Sequence, residues 1–168
     1  MVEIEPLDRA DLNAILHCEG GNGWKNGAAQ WAETIRQHAS GERLVLIASI
    51  RGAPVGYGSL LWRSSYPPFA AAGIPELHDL VTARHHRHQG IATTLIAALE
   101  NAARTAGHHH IGLGVGLYAD YGPAQRLYGV LGYIPDGRGV TYNGASATPG
   151  VAVLLDDDLL LWMVKTLI

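Results

Sequence analysis

An amphipathic helix with a predicted strand on each side is the segment that most constrains the fold. In Ile91–Ala106 apolar side chains recur at about 3.6 residues per turn, and Gly107 follows where helices commonly end. Glu76–Thr82 before the helix and Ile111–Leu117 after it have the length and composition of strands. This order of elements predicts a mixed α/β fold.

The rest of the chain extends the pattern to β-α-α-β-β-β-α-β-α-β-β. Asp8 is the predicted N-cap of a first helix whose apolar face contains Leu12, Ile15 and Leu16. Ser64–Gly73, which holds two adjacent prolines, is predicted to be a loop. The other predicted helices are Ala28–His38 and Pro123–Leu131, and the other predicted strands are Val2–Glu5, Arg43–Ile50, Val55–Trp62, Arg138–Asn143 and Leu159–Thr166. No linker interrupts this order, so residues 1–168 are predicted to form a single domain.

Composition excludes several classes of protein. The 168 residues are 48% apolar with a net charge of -3, which is unlike a disordered chain, and one cysteine excludes a disulfide scaffold. The slightly acidic balance gives no electrostatic footprint for nucleic acid. The N-terminus lacks the pattern of a secretory signal, and the apolar run Leu159–Val164 is too short to span a membrane. We therefore expect a cytoplasmic protein without a nucleic-acid or membrane partner.

One strand has an unusual alternation of apolar residues with glycine. Along Ile111–Leu117, every second residue is a glycine, at Gly112, Gly114 and Gly116. Side chains alternate between the two faces of a strand, so one face here is bare backbone. The pattern predicts that another group approaches this face closely, and a ligand is one such group.

The turn before the clearest helix has features of a phosphate site. It reads Arg87-His88-Gln89-Gly90-Ile91-Ala92. The first turn of a helix leaves backbone N–H groups without partners and carries partial positive charge, which suits a diphosphate. The segment is neither a P-loop nor the dinucleotide G-x-G-x-x-G. From spacing alone, an ordinary exposed strand-to-helix turn is an equally good interpretation.

Two motifs together resemble a known family. Arg87-x-x-Gly90-x-Ala92, after a strand and before an amphipathic helix, is similar to the acetyl-CoA signature of the GCN5-related N-acetyltransferases, the GNAT superfamily. The segment Ala124-Gln-Arg-Leu-Tyr128-Gly-Val-Leu-Gly132-Tyr133 resembles the second motif of that family. The resemblance covers the whole chain. It implies an α/β fold with a mixed, mainly antiparallel central sheet, splayed fourth and fifth strands, and helices on both faces.

The resemblance also implies how acetyl-CoA, the acyl-donor cosubstrate, is held. The pyrophosphate loop falls on Arg87, His88, Gln89, Gly90, Ile91, Ala92 and Thr93, mainly through backbone amides. Arg84 and Arg87 would help with their side chains. The backbone of Leu80, Val81 and Thr82 would pair with the pantetheine arm, and Tyr121 and Ala124 belong to the second motif. Tyr121 departs from the family, because many members have Asn at that position.

The remaining implied roles concern catalysis and the acceptor. Tyr128 matches the tyrosine that protonates the leaving thiolate, and Glu76 occupies the position of the general base, with Asp79 as the alternative. The acceptor pocket is predicted to involve Trp24, Tyr66, Phe69, Asp79 and Tyr142, although packing is the alternative role for the aromatic residues. The loop Asp156–Asp158 is either a solvated end or an anionic lip for a cationic amine.

The expected activity is acetyl transfer from acetyl-CoA to a primary amine of a small cationic molecule, directly in a ternary complex. The alternatives are a protein N-terminal or lysine acetyltransferase and a non-catalytic acyl-CoA sensor. A homodimer is an assembly that the resemblance allows. The two histidine clusters, at residues 85–88 and 108–110, lack the spacing of a zinc site, so we favour solvated turns and expect no metal.

Overall fold

A computed structural model describes residues 1–10, 13–15 and 28–168. The chain divides into two compact units. Unit 1 consists of Met1–Trp62 and Leu77–Ala106, and unit 2 consists of Arg63–Glu76 and Gly107–Ile168. Within the described ranges, no helix is both long and apolar enough to cross a membrane.

Eight strands and four complete helices occur in the described residues. The strands are β1 (Glu3–Pro6), β2 (Arg43–Ile50), β3 (Ala53–Leu61), β4 (Glu76–Thr82), β5 (His110–Gly116), β6 (Ile134–Tyr142), β7 (Ala145–Ser146) and β8 (Leu159–Thr166). The helices are α1 (Ala28–Ser40), α2 (Pro67–Ala72), α3 (Ile91–Thr105) and α4 (Gly122–Val130). Short 3₁₀ turns cover Leu7–Arg9, Arg84–His86 and Ala119–Tyr121.

The strands form a mainly antiparallel sheet. Hydrogen-bonded neighbours follow the order β1-β2-β3-β4 in unit 1 and β5-β8-β6-β7 in unit 2. Glu76, the first residue of β4, belongs to unit 2 and pairs in parallel with Gly112 of β5. The predicted mixed α/β fold is confirmed.

In unit 1, helices pack on both faces of β3. Tyr57 is buried against Trp31 of α1, with ring centroids 5.0 Å apart. Gly56 and Gly58, on the opposite face, lie under side chains of α3: a Cβ at Gly58 would be 3.1 Å from a methyl carbon of Leu99. Successive residues of β3 face opposite sides of the strand, so α1 and α3 pack on opposite faces, as the resemblance implied.

In unit 2, the glycine face of β5 is covered by aromatic rings of the protein itself. A Cβ at Gly112 would lie 2.1 Å from Phe69, one at Gly114 would lie 3.1 Å from Trp162, and one at Gly116 would clash with Tyr121. The prediction of a close approach was correct. The approaching groups at these three glycines are rings of the protein and not a ligand, because the rings occupy the space beside the glycines.

Several predicted boundaries need correction. The predicted loop Ser64–Gly73 contains α2, which has prolines in its first turn and ends at Gly73 in a left-handed conformation. Asp8 does not cap a helix, since it lies inside a 3₁₀ turn. Residues 13–15 are helical, and the remainder of that predicted helix lies outside the described residues. The predicted strand Arg138–Asn143 is the second half of the longer β6.

Candidate active site

Glu76 is a buried carboxylate with a defined hydrogen-bond partner. Its side chain is 3% exposed. The hydroxyl of Ser64 donates to Glu76 Oε2 over 2.5 Å, and the same hydroxyl oxygen accepts the backbone N–H of Tyr66 over 3.0 Å. The segment before α2 therefore fixes the orientation of the predicted general base. Ser64 was not predicted, because nothing in the sequence near the paired prolines relates it to a residue twelve positions away.

Asp79 marks a break in the regular backbone of β4. Its φ is +50°, in the left-handed region that β-strands do not use. Its Oδ2 lies 2.9 Å from Nη1 of Arg43, and its Oδ1 lies 3.6 Å from Nε2 of His78. The sequence predicted that Asp79 contacts the acceptor or replaces Glu76 as the base. In the structure its carboxylate is an ion-pair partner of Arg43, at an irregularity of the strand.

The end of β4 packs closely on β3. A Cβ at Gly56 would lie 2.8 Å from the carbonyl oxygen of Val81, and one at Gly58 would lie 3.2 Å from a methyl carbon of Leu80. Thr82 Oγ1 is buried and has no hydrogen-bond partner among the described residues. A polar atom of this kind needs a partner, and a polar ligand beside the strand would supply one.

The predicted pyrophosphate loop is an exposed turn that leads into α3. His88 has a φ of +62° and Gly90, the N-cap, has a φ of +79°. No side chain in the described part of the chain caps the helix, and Thr94 is the first residue whose N–H bonds back to the Gly90 carbonyl, over 2.9 Å. The amides of residues 91–93 therefore precede the intrahelical hydrogen bonds.

This turn has the geometry of an anion site. Residues 87–90 are exposed, and the space where a Cβ of Gly90 would lie is open to 4 Å. Ile91 is buried and anchors the first turn of the helix, Ala92 is half-buried, and Thr93 is exposed. An anion can thus approach the backbone amides directly, and the helix dipole favours it.

Tyr128 lies in α4 and is the buried phenol of that helix. It is 7% exposed, and its ring meets that of Tyr133 edge-on at a centroid distance of 5.8 Å. Burial raises the pKa of Tyr128 to about 12. The hydroxyl is therefore neutral at physiological pH and holds the proton that a general acid must donate.

Tyr121 is held against β5 rather than left open. Its hydroxyl donates to Asp157 Oδ1 over 2.8 Å, and Tyr118 donates to the same oxygen. Burial, followed by the contact with Asp157, raises the pKa of Tyr121. Its ring covers Gly116, whose carbonyl accepts Nε2 of Gln125 over 2.7 Å. Tyr121 therefore has a packing role that the Asn common in the family could not fill, and Ala124 lies half-buried in the following helix.

Two aromatic residues predicted for the acceptor pocket belong to a core cluster of unit 2. Tyr66 stacks on Trp162 at 4.1 Å between centroids, and Phe69 meets both rings edge-on. Tyr66 also donates to Asp136 Oδ2 over 2.9 Å, and burial and this carboxylate raise its pKa to about 12. These contacts agree with the alternative interpretation of Tyr66 and Phe69 as packed residues.

Tyr142 and Trp24 are the last two residues predicted for the acceptor pocket, and the structure describes only Tyr142. Tyr142 is half-buried at the end of β6 and donates to Asp156 Oδ2 over 3.3 Å. Burial and the Asp156 charge raise the pKa of Tyr142. Trp24 lies outside the described residues.

The histidine clusters do not assemble a metal site in the described part of the chain, where no group of three His, Cys, Asp or Glu residues could hold an ion. His85 and His86 lie in the 3₁₀ turn before α3. His108 Nδ1 lies 3.0 Å from the carbonyl oxygen of Gly73. These contacts are those of ordinary turn residues.

Comparisons with known proteins identify the family. The sequence profile of the acetyltransferase (GNAT) family matches residues 14–133, well over half of the chain. A search of curated proteins found no match. Several solved structures share the fold, at identities too low to indicate more than the fold.

Three of these structures illustrate the degree of similarity in fold and sequence. An acetyltransferase assigned to the GNAT family, from Desulfovibrio desulfuricans, has a TM-score of 0.73 at 16% identity, with 100% of both chains covered. Ribosomal-protein-alanine N-acetyltransferase from Brucella melitensis has a TM-score of 0.68 at 23% identity, with 98% of this chain and 99% of the other covered. An aminoglycoside 6'-N-acetyltransferase complexed with coenzyme A has a TM-score of 0.66 at 20% identity, with 99% and 97% covered. The chain described here is an acyltransferase that belongs to the acetyltransferase (GNAT) family.

Proposed function

We propose that this protein transfers the acetyl group of acetyl-CoA to the primary amine of a small cationic molecule. The observation that carries the donor assignment is the exposed turn before α3, where left-handed His88 and Gly90 lead into an uncapped helix. Residues 87–93 would bind the diphosphate through backbone amides, with Arg84 and Arg87 nearby in sequence. The backbone of Leu80–Thr82 would hold the pantetheine arm.

The chemistry is assigned to two buried side chains of unit 2. Bound acetyl-CoA supplies a thioester whose leaving group is a thiolate. Glu76, oriented by Ser64, takes up a proton from the acceptor ammonium directly or through water. As the new C–N bond forms and the C–S bond breaks, Tyr128 donates its proton to the sulfur, and the second proton that the nitrogen loses on becoming an amide restores the phenol through solvent. Backbone N–H groups of β4 would polarise the thioester carbonyl.

A run of carboxylates in unit 2 supports a cationic acceptor. Asp156, Asp157 and Asp158 precede β8, and hydroxyl groups of tyrosines fix two of the three. Asp156 also accepts the backbone N–H of Asp158 over 3.0 Å. A fixed group of negative charges attracts amines in their ammonium form.

A protein acceptor is the second candidate. Of the proteins with the same fold, one is named for aminoglycoside 6'-N-acetylation and another for a ribosomal-protein alanine. The acidic run leads us to prefer the small molecule. The expected compartment is the cytoplasm, where acetyl-CoA is available as donor.

Thiol release from acetyl-CoA, followed with a panel of amines, tests this proposal. The panel contains a polyamine, an aminoglycoside, an amino-acid amide and a peptide with a free N-terminal alanine. We expect thiol release with a small polycation, and a preference for the peptide would favour the protein acceptor. Binding of acetyl-CoA without thiol release from any amine would overturn the enzymatic proposal and favour the sensor alternative.

A further inference from the structure

Asp79 adopts a backbone conformation that a strand does not ordinarily contain. Its φ of +50° lies in the middle of β4, between residues predicted for catalysis and for donor binding. The left-handed conformation is strained for any residue with a Cβ, although aspartate tolerates it better than most. Such a residue persists only when its surroundings hold it there.

Arg43 is the nearer of the two basic side chains that face the Asp79 carboxylate, the other being His78. Arg43 opens β2, is 8% exposed, and places Nη1 at 2.9 Å from Asp79 Oδ2. The Asp79 side chain is itself only 20% exposed, so the ion pair is largely shielded from water. Arg43 Nε is buried without a hydrogen-bond partner among the described residues. Asp79 is the carboxylate in direct contact with Arg43, whose charge also acts on the exposed Glu33, and removing either member of the ion pair would leave the charge of the other without its direct partner.

The residues that follow Asp79 have little freedom to compensate. Val81 and Leu80 lie close to Gly56 and Gly58 of β3. A Cβ added at Gly56 would lie 2.8 Å from the carbonyl oxygen of Val81, and one added at Gly58 would lie 3.2 Å from a methyl carbon of Leu80. Ala83 then donates its N–H to the carbonyl of Val55 over 2.8 Å. A change of conformation at Asp79 would consequently have to disturb these contacts with β3 in order to move the backbone of Leu80–Thr82.

We propose that Arg43 is a positioning residue for the donor site. By pairing with Asp79 it maintains the left-handed conformation that directs the backbone of Leu80–Thr82 toward acetyl-CoA. This inference rests on the proposed function, since it assigns the purpose of the ion pair to donor binding. It also gives Asp79 a conformational role in place of the acid-base or acceptor role that its position suggested.

Calorimetric titration with coenzyme A, which requires no turnover, tests the inference. We expect Arg43→Met to weaken binding about tenfold or more, because small displacements of a binding backbone have large effects. Arg43→Lys, which keeps the charge, should recover part of the affinity. Arg36→Met is the matched control, since Arg36 also forms ion pairs but its side chain is 54% exposed.

A glycine variant separates conformation from charge. Glycine adopts positive φ without strain, so Asp79→Gly no longer needs Arg43 to hold its backbone. In the Asp79→Gly background, Arg43→Met should change coenzyme A affinity less than about twofold. This double variant also avoids the unpaired carboxylate, and it remains informative if Arg43→Met alone does not fold.

The outcomes distinguish this inference from the function on which it rests. Wild-type protein that binds no coenzyme A would overturn the proposed function and this inference together. Wild-type binding that is unchanged in folded Arg43→Met would overturn the inference alone. Equal losses from Arg43→Met in the wild-type and Asp79→Gly backgrounds would also overturn it, because the arginine would then act independently of the left-handed residue.

Discussion

The proposed donor turn in unit 1 and the proposed catalytic pair in unit 2 are built in opposite ways. The turn at residues 84–93 is mostly exposed and offers backbone amides, so its function depends on conformation more than on side chains. Glu76 and Tyr128 are buried, and their function depends on one carboxylate and one phenol. Substitutions in the turn should therefore affect donor affinity modestly, whereas those in the buried pair should affect turnover strongly.

The largest expected effect is on turnover. Glu76→Gln keeps the size of the side chain and an oxygen that can accept from Ser64, but it removes the proton acceptor. We expect kcat to fall by about 10²–10⁴-fold with the affinity for coenzyme A little changed. Steady-state kinetics and calorimetric titration measure the two quantities. A loss of affinity comparable to the loss of turnover would contradict the assignment of donor binding to unit 1 and of proton transfer to unit 2.

The next effect concerns stability in unit 2. Gly112→Ala places a methyl group where Phe69 lies, and Phe69 is packed against Tyr66 and Trp162. We expect about 1–3 kcal/mol lower free energy of unfolding by urea titration. Gly129→Ala is the control, because its Cβ meets open space in a helix. A neutral Gly112→Ala would show that the ring does not cover this glycine.

A smaller effect is expected from the backbone of the donor turn. Gly90→Ala forces a left-handed conformation on a residue with a Cβ, at a cost of about 1–2 kcal/mol. We expect the KM for acetyl-CoA to rise by up to about tenfold while kcat changes little. Gly41→Ala is the matched control, because Gly41 has the same φ of +79° as Gly90 and open space around the added carbon. If both variants raised KM equally, the effect would come from stability and not from the donor turn.

The smallest effect is expected from an exposed cation in the same turn. Arg87 is exposed, so salt and water screen its attraction for phosphate. Arg87→Ala should raise the KM for acetyl-CoA by only about two- to threefold at physiological ionic strength. Measurements at low and high salt check this, because the difference should shrink as salt increases. A loss of tenfold or more would show that side chains, not amides, carry the binding.

Local patterns predicted most of the elements and the turn before α3, whereas the donor-binding role of that turn was inferred from the family resemblance. The period of Ile91–Ala106 and the apolar run of β2 identified those two elements nearly to the residue, because each is encoded by consecutive side chains. The turn before α3 was predictable for the same reason. α2 was missed, since its adjacent prolines indicate a loop as readily as the first turn of a helix.

Contacts between distant residues were not predictable. Ser64 with Glu76, Arg43 with Asp79 and Phe69 with Gly112 each join segments whose proximity depends on the fold. The glycines of β5 showed that something approaches the strand, but their pattern could not distinguish a ligand from the rings of Phe69, Trp162 and Tyr121. The glycine pattern indicates that one face of the strand has room for another group, but it does not identify that group.

The most direct test of the account is the pH dependence of kcat for wild-type protein and Tyr128→Phe, with acetyl-CoA and an accepted amine. The phenol is the active form as acid, and burial raises its pKa to about 12, above the ordinary value of 10.0. Loss of its proton therefore begins at higher pH than for a free tyrosine, and wild-type kcat should show no descending limb below about pH 10. Tyr128→Phe should lose about 10²-fold or more in kcat at neutral pH, with little change in the KM for acetyl-CoA. Full turnover by Tyr128→Phe at neutral pH would contradict the assignment of Tyr128 as the acid.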